Sequence, residues 1–239
     1  MNKFENIIHE AGIRRPNGYH FYFMNYIFNN IDLTDKKILD IGGGNGLASF
    51  FALSSAPSCK AWVVDPIAEG SNRLMFTQYN SMKKKFDAGR IVFHRNFIDT
   101  LSEPEQFDII LMHNTINHIG EDILNDILED EIAYNDYKSR IKTILDRLRP
   151  GGKLIVADCG RYNFLGNLGL KNPFAPSIDW KLHCEPSVWK SMIEEIGFKH
   201  ILTRWTARRE TGMFGKVFLA NRVCSYFLNS HFVSNYEKK

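Results

Sequence analysis

The chain has 239 residues, 44% of them hydrophobic, which is enough for one α/β domain with a full core. A formal charge of +3 is too small to point to nucleic acid, and the clusters Lys83-Lys84-Lys85 and Arg208-Arg209 read as solvated faces. Cys59, Cys159, Cys184 and Cys224 fit no metal-ligand spacing, and no apolar run approaches the roughly 20 residues that span a bilayer, so no metal, no membrane insertion and a cytoplasmic location are expected.

Residues 1–35 carry Phe4, Ile7 and Ile8, then Tyr19, Phe21, Tyr22, Phe23, Tyr26, Ile27 and Phe28. The spacing predicts two helices broken around Arg14-Arg15-Pro16-Asn17-Gly18. Such a flank either covers the edge of a sheet or forms a lid over a ligand site, with Arg14 or Arg15 near an anionic group.

Ile38-Leu39-Asp40-Ile41 is a short apolar run of strand type, followed by Gly42-Gly43-Gly44-Asn45-Gly46 and an apolar helix-forming segment from Leu47. Strand, glycine turn and helix bring a backbone close to a nucleotide, because glycine tolerates positive φ and the helix start offers unpaired N–H groups. The dinucleotide pattern Gly-x-Gly-x-x-Gly is not met, since Leu47 stands where its third glycine belongs. Asp40 places a carboxylate under the turn, which suits a cationic ligand better than a phosphate. The stretch Leu-Asp-Ile-Gly-Gly-Gly-Asn-Gly resembles the first motif of the class I methyltransferases, which bind S-adenosylmethionine.

Ala61-Trp62-Val63-Val64-Asp65-Pro66 reads as the second strand. An acid at this strand's end, about 20 residues past the glycines, pairs with ribose hydroxyls in nucleotide-binding α/β folds. Asp65 fits that position, with Pro66 ending the strand and Ile67 placed to pack on adenine. Residues 90–101 read as the third strand and its loop. In methyltransferases an Asp of this loop contacts the adenine amino group; here the register falls on Asn96 or Phe97, with Asp99 two places on. Phe107–His113 reads as the fourth strand, and its exit holds His113, Asn114, Asn117 and His118, unusually polar for a chain leaving a buried strand.

Residues 121–148 are expected to be one long helix, acidic early and basic late, with a break near Tyr134-Asn135-Asp136. Leu148-Arg149-Pro150-Gly151-Gly152-Lys153-Leu154 is similar to the turn before the fifth methyltransferase strand, and Asp158 at that strand's end is placed to orient an acceptor or to cap the next segment. Residues 159–185 read as a long loop shaping an acceptor pocket. A helix over 186–196, a strand over 199–206, a last antiparallel edge strand over 213–221 and a closing tail over 223–239 complete the chain.

The resemblance covers about residues 36–220. It implies a Rossmann-like, seven-stranded, mostly parallel sheet with helices on both faces, the last strand antiparallel and a helical N-terminal flank. Residues 36–222 then form the domain binding S-adenosylmethionine. Cofactor contacts fall on Asp40, Gly42, Gly43, Gly44, Gly46, Asp65, Pro66, Asn96, Phe97 and His113. The acceptor is expected to be a small molecule, sugar and lipid-linked compounds included, methylated at oxygen rather than nitrogen. A general base then helps, and the candidates are His118 first, then His113 and His183. A silent binding module, an NAD-dependent dehydrogenase and an aminopropyl transferase are the rival readings, and oligomeric state stays open.

Overall fold

The computed structural model describes residues 1–67, 73–86, 88–96, 106–176 and 178–239. The strands are β1 (Lys37–Ile41), β2 (Lys60–Val64), β3 (Ile91–His94), β4 (Phe107–His113), β5 (Leu148–Cys159), β6 (Phe198–Trp205) and β7 (His231–Lys238). They make one sheet in the order β3-β2-β1-β4-β5-β7-β6. Strands β1 to β5 pair parallel, and β7 runs antiparallel to both β5 and β6. Asp40 of β1 faces Val63 on one side and Leu111 on the other. The winding reverses between β1 and β4, and ligands of open parallel sheets bind in the crevice at the carboxyl ends of such a pair.

The central strands are buried on both faces, as a parallel sheet requires, and their apolar runs are correspondingly continuous: Ile38, Leu39 and Ile109 to Met112 are all sealed from solvent. One face carries the helices α1 (Lys3–Glu10), α2 (Pro16–Tyr22) and α3 (Leu47–Ser55); Phe4 of α1 and Phe50 and Phe51 of α3 fill an aromatic core with Phe23 and Phe28, which follow α2. Helix α4 (Arg73–Lys83) adds Tyr79 to it. The other face carries α5 (Glu131–Leu145) and, after a short turn α6 (Phe164–Asn167), α7 (Pro186–Glu195); Tyr137, Ile141, Trp189 and Ile193 pack there. The expected N-terminal helical flank is present, α2 passing directly into a π-helical turn over Phe23–Ile27.

Three expectations need correction. Helix α5 begins at Glu131, not at 121, and runs unbroken past Tyr134. Asp130 is extended and its side chain accepts from Ile132 N–H at 2.8 Å, a cap that starts the helix there, while the segment before it forms turns. Residues 213–221 are helical, in the short turns α8 (Gly212–Phe214) and Gly215–Leu219, followed by α9 (Arg222–Phe227). The seventh strand lies in the segment read as a tail: His231–Lys238 slots between β5 and β6, one place in from the edge. Ser234 and Asn235 interrupt its apolar pattern, yet Ser234 is fully buried because its hydroxyl bonds Thr203 Oγ1 at 2.7 Å. Among the described residues no helix is long and apolar enough to cross a membrane.

Candidate active site

Between β1 and α3 the chain turns on glycines with positive φ: Gly42 (+64°), Gly44 (+54°) and Gly46 (+73°). Gly43 is needed for a different reason. A Cβ there would stand 2.7 Å from Val63 Cγ1 and 2.9 Å from Asp40 Cγ, so no side chain fits. A Cβ at Gly46 would meet Tyr79 and Phe50, and Gly46 is not among the residues that line the cavity described below; it shapes the turn.

Two carboxylates hold this loop. Asp65, at the tip of β2, accepts from Gly44 N–H at 2.9 Å and from Ile67 N–H at 2.7 Å, so it ties the glycine loop to the loop after β2. Asp40 is 1% exposed. Its Oδ2 accepts from Ser49 Oγ at 2.7 Å, and its buried Oδ1 has no partner. Burial pushes its carboxyl up to about 6, and the Ser49 hydrogen bond opposes this only in part. A buried, half-satisfied carboxylate at the floor of a cavity is an acceptor for a cation or an N–H donor.

The loop opens on a cavity of about 1650 Å³. Gly42, Gly43, Gly44, Asp40, Asp65, Pro66 and Asn96 line one part of it; Tyr19, Tyr22, His113, His118, Phe174 and Arg209 line another. Pockets for one drug-sized ligand hold about 300–1,000 Å³, so this one has room for a nucleoside and a second molecule. Phe97 lies outside the described residues.

His113 ends β4 at the switch point. Its Nε2 lies 3.2 Å from the Tyr22 hydroxyl and the two rings stack with centroids 5.6 Å apart. His231 stands edge-on to His113 at 6.1 Å, with Nε2 3.2 Å from Asn114 Oδ1 and Nδ1 3.0 Å from Thr206 Oγ1. Asn114 Oδ1 can only accept, so His231 carries its proton on Nε2 and accepts from the Thr206 hydroxyl on Nδ1. Burial, with the Arg209 charge second, lowers His113 to about 4, and burial, with His113 second, lowers His231 to about 3. Both rings are neutral near pH 7. They orient neighbours and do not store protons.

His118 is different: it is half-exposed, faces the cavity and its Nδ1 lies against Glu121 Oε1. His183 does not line the cavity, against the expectation that it reaches an acceptor. It is buried, Nδ1 donates to the Asp179 carbonyl at 2.7 Å, and Nε2 faces Asp158 Oδ1 at 3.8 Å. Burial raises Asp158, and the charge of His183 is the largest opposing influence. The two therefore form an internal pair behind His118, whose ring meets His183 edge-on at 6.3 Å.

Several lining residues were not anticipated. Tyr22 and His231 enter from segments read as flank and tail. Arg208 and Arg209 are cavity wall, not a solvated face: Arg209 Cζ sits 4.0 Å over the Tyr19 ring, Arg208 Cζ 5.1 Å over Phe174, and Glu210 pairs with both and with Arg15. The aromatic density of residues 19–28 was the only signal for Tyr22, and nothing in the sequence pattern marked His231.

A sheet wound in this order, with side-chain-free turns after β1 and an acid at the tip of β2, defines a class I methyltransferase fold. The chain belongs to the methyltransferase domain family, whose model matches residues 19–204. It is 34% identical over 83 residues to histone-arginine methyltransferase CARMER of Aedes aegypti, a match covering 35% of this chain and 13% of that protein. The chain spans under a third of the length of the first curated relatives it matches. The fold is shared with an O-methyltransferase family 2 protein of Planctomyces limnophilus in complex with apigenin (TM-score 0.58, 12% identity, 100% of this chain and 62% of that one). It is shared also with the 1,6-didemethyltoxoflavin-N1-methyltransferase of Burkholderia thailandensis, which holds S-adenosylhomocysteine (TM-score 0.52, 14% identity, 94% and 77%). S-adenosylmethionine is the cofactor of this family, and the site fits it: Gly43 leaves a bare backbone, and Asp40 keeps an unpartnered buried oxygen at the cavity floor.

Proposed function

We propose that the chain transfers a methyl group from S-adenosylmethionine to a small-molecule acceptor, at oxygen in preference to nitrogen. The observation that carries this reading is the His118–Glu121 pair, which opens on the same cavity as the glycine loop and its two carboxylates.

The bound cofactor supplies an electrophilic methyl group on a sulfonium. Asp65 would hold the ribose hydroxyls, Pro66 and Asn96 would border the adenine, and Asp40 would offer its carboxylate to the cationic end of the cofactor. His113 and Tyr22 form a neutral wall at the switch point, between the glycine loop and the acceptor side. His118 accepts the proton leaving an acceptor hydroxyl, and Glu121 steadies the imidazolium that results. General-base help of this kind is worth about 10²–10⁴ in rate, and alignment of the reacting atoms about 7–11 kcal/mol. Residues 1–35 act as the cover: Tyr19 and Tyr22 close the cavity over the acceptor side, and Arg15 reaches Glu210 at 3.7 Å, tying the start of α2 to the segment after β6.

The test is a methylation screen of small-molecule extracts with heavy-methyl S-adenosylmethionine, read by mass spectrometry. A product labelled on oxygen, lost in His118→Ala, is the expected result. Tight cofactor binding with no labelled product in any extract would leave a silent binding module instead, and a gain of an aminopropyl group would identify the other transferase chemistry.

A further inference from the structure

Two segments far apart in sequence make one surface beside the cavity. Residues 160–178 and 211–230 contain no Asp or Glu, and their charged residues are all cations. They are pinned together by buried amides: Asn163 Nδ2 donates to the carbonyls of Tyr226 (3.1 Å) and Leu228 (3.3 Å), and Asn172 Nδ2 donates to Asn163 Oδ1 at 3.0 Å and to the Leu228 carbonyl. Phe164 packs on Phe227 with ring centroids 5.0 Å apart. The platform is therefore built, not a chance meeting of loops.

What it presents to solvent is apolar. Val217 is 63% exposed and Phe218 61%, with Met213 and Phe214 beside them on the same turns, and Leu168 and Leu170 are more than half exposed on the other segment. Exposed aromatic and aliphatic side chains in this density mark an interaction surface. The surrounding charge says with what. Lys171 and Arg222 are exposed, and among the described residues neither is ion-paired. An isologous contact between two copies would bring these cations against their own kind. Glu185 shares a groove with Arg222 and Tyr226, but Arg161, Lys171, Lys216 and Arg222 outnumber it on the two segments, and aromatic and aliphatic side chains with this cationic balance are complementary to anionic lipid headgroups over an acyl layer.

We infer that this surface docks on an anionic lipid bilayer, its aromatic turns seated at the headgroup–acyl boundary and Lys171 and Arg222 meeting the headgroups. Phe174 and Asn229, at the ends of the two segments, are also cavity wall, so the docked protein holds its cavity next to the membrane. The inference does not depend on the methyl-transfer reading, because docking requires neither cofactor nor acceptor.

The test is co-sedimentation of the full chain with vesicles of phosphatidylcholine alone and of phosphatidylcholine mixed with phosphatidylglycerol. Binding to the anionic vesicles that weakens at high salt is expected. Arg222→Gln should weaken it about fivefold, and Phe218→Ser should weaken it on the same vesicles while the unfolding midpoint stays at the wild-type value. No sedimentation with either vesicle overturns the proposal. Equal binding to both, indifferent to Arg222→Gln, removes the anionic recognition and overturns it as stated. Self-association in the ultracentrifuge that Phe218→Ser abolishes, without lipid binding, assigns the face to a second copy.

Discussion

Ser49, in the first turn of α3, donates its hydroxyl to Asp40 at the end of β1 across 2.7 Å, and its backbone N–H supports the same carboxylate, while Asp40 Oδ1 has no partner. The pair joins strand to helix beneath the glycine loop. It also leaves a buried carboxylate half-compensated, with one oxygen unpartnered.

The consequence for stability has a definite sign. Asp40 is raised from 3.8 to about 6 on folding. Its contribution is intact below pH 3.8 and is lost as pH rises through about 6, so at pH 7 the cofactor-free protein carries a penalty of about 3 kcal/mol. Asp40→Asn keeps an acceptor for Ser49 and removes the charge. Calorimetric unfolding at pH 7 without cofactor should show a higher midpoint for the variant, while titration calorimetry should show weaker S-adenosylmethionine binding. A variant that binds as well as the parent would separate Asp40 from the ligand.

Acid acts in the opposite direction through the two buried histidines. His113 and His231 fall to about 4 and about 3 on folding from 6.5, so their stabilising contribution is present above pH 6.5 and is lost as pH falls toward those values. At pH 5 each costs about 2 kcal/mol relative to pH 7, while Asp40 returns roughly 1.4 kcal/mol, and the net is a loss of about 2–3 kcal/mol. Urea unfolding midpoints at pH 7 and pH 5 should differ accordingly. In His231→Gln the difference should shrink by about the share of one histidine.

The His118–Glu121 pair predicts a kinetic signature. His118→Gln should lower kcat by about 10²–10⁴ with the cofactor dissociation constant unchanged. Glu121→Gln should lower it less, because the ring remains and only its electrostatic support is lost. Both variants lie on a half-exposed surface and should unfold at the parent's midpoint. A kcat that survives His118→Gln would move the base elsewhere.

Much of the glycine-loop side of the cavity was legible in the sequence because it is local. The glycine turn, Asp40 and Asp65 each follow directly from a strand whose apolar run marks its own end, so spacing alone located them. The other side of the cavity is assembled from segments distant along the chain, and its signals were weak for that reason. Tyr22 meets His113 across 91 positions and His231 meets Asn114 across 117. The seventh strand was missed because Ser234 and Asn235 break its apolar run, and the sheet satisfies Ser234 through Thr203. Helix α5 was drawn too long because the residues before Asp130 share its apolar spacing; Leu124 and Ile127 are indeed buried, but from turns. His183 had the right residue type near the right loop, and burial against Asp158 took it out of the cavity.

The central claim is that the glycine loop and the acid at the tip of β2 together hold a sulfonium nucleoside. Titration calorimetry of S-adenosylmethionine against the parent and Asp65→Asn tests it most directly, with circular dichroism to establish that the variant is folded. Two charge-assisted hydrogen bonds are at stake, each about 1.5–3 kcal/mol, so the variant should bind about 10²–10⁴-fold more weakly. A folded parent that gives no heat with the nucleoside, or a variant that binds it equally well, would contradict the account.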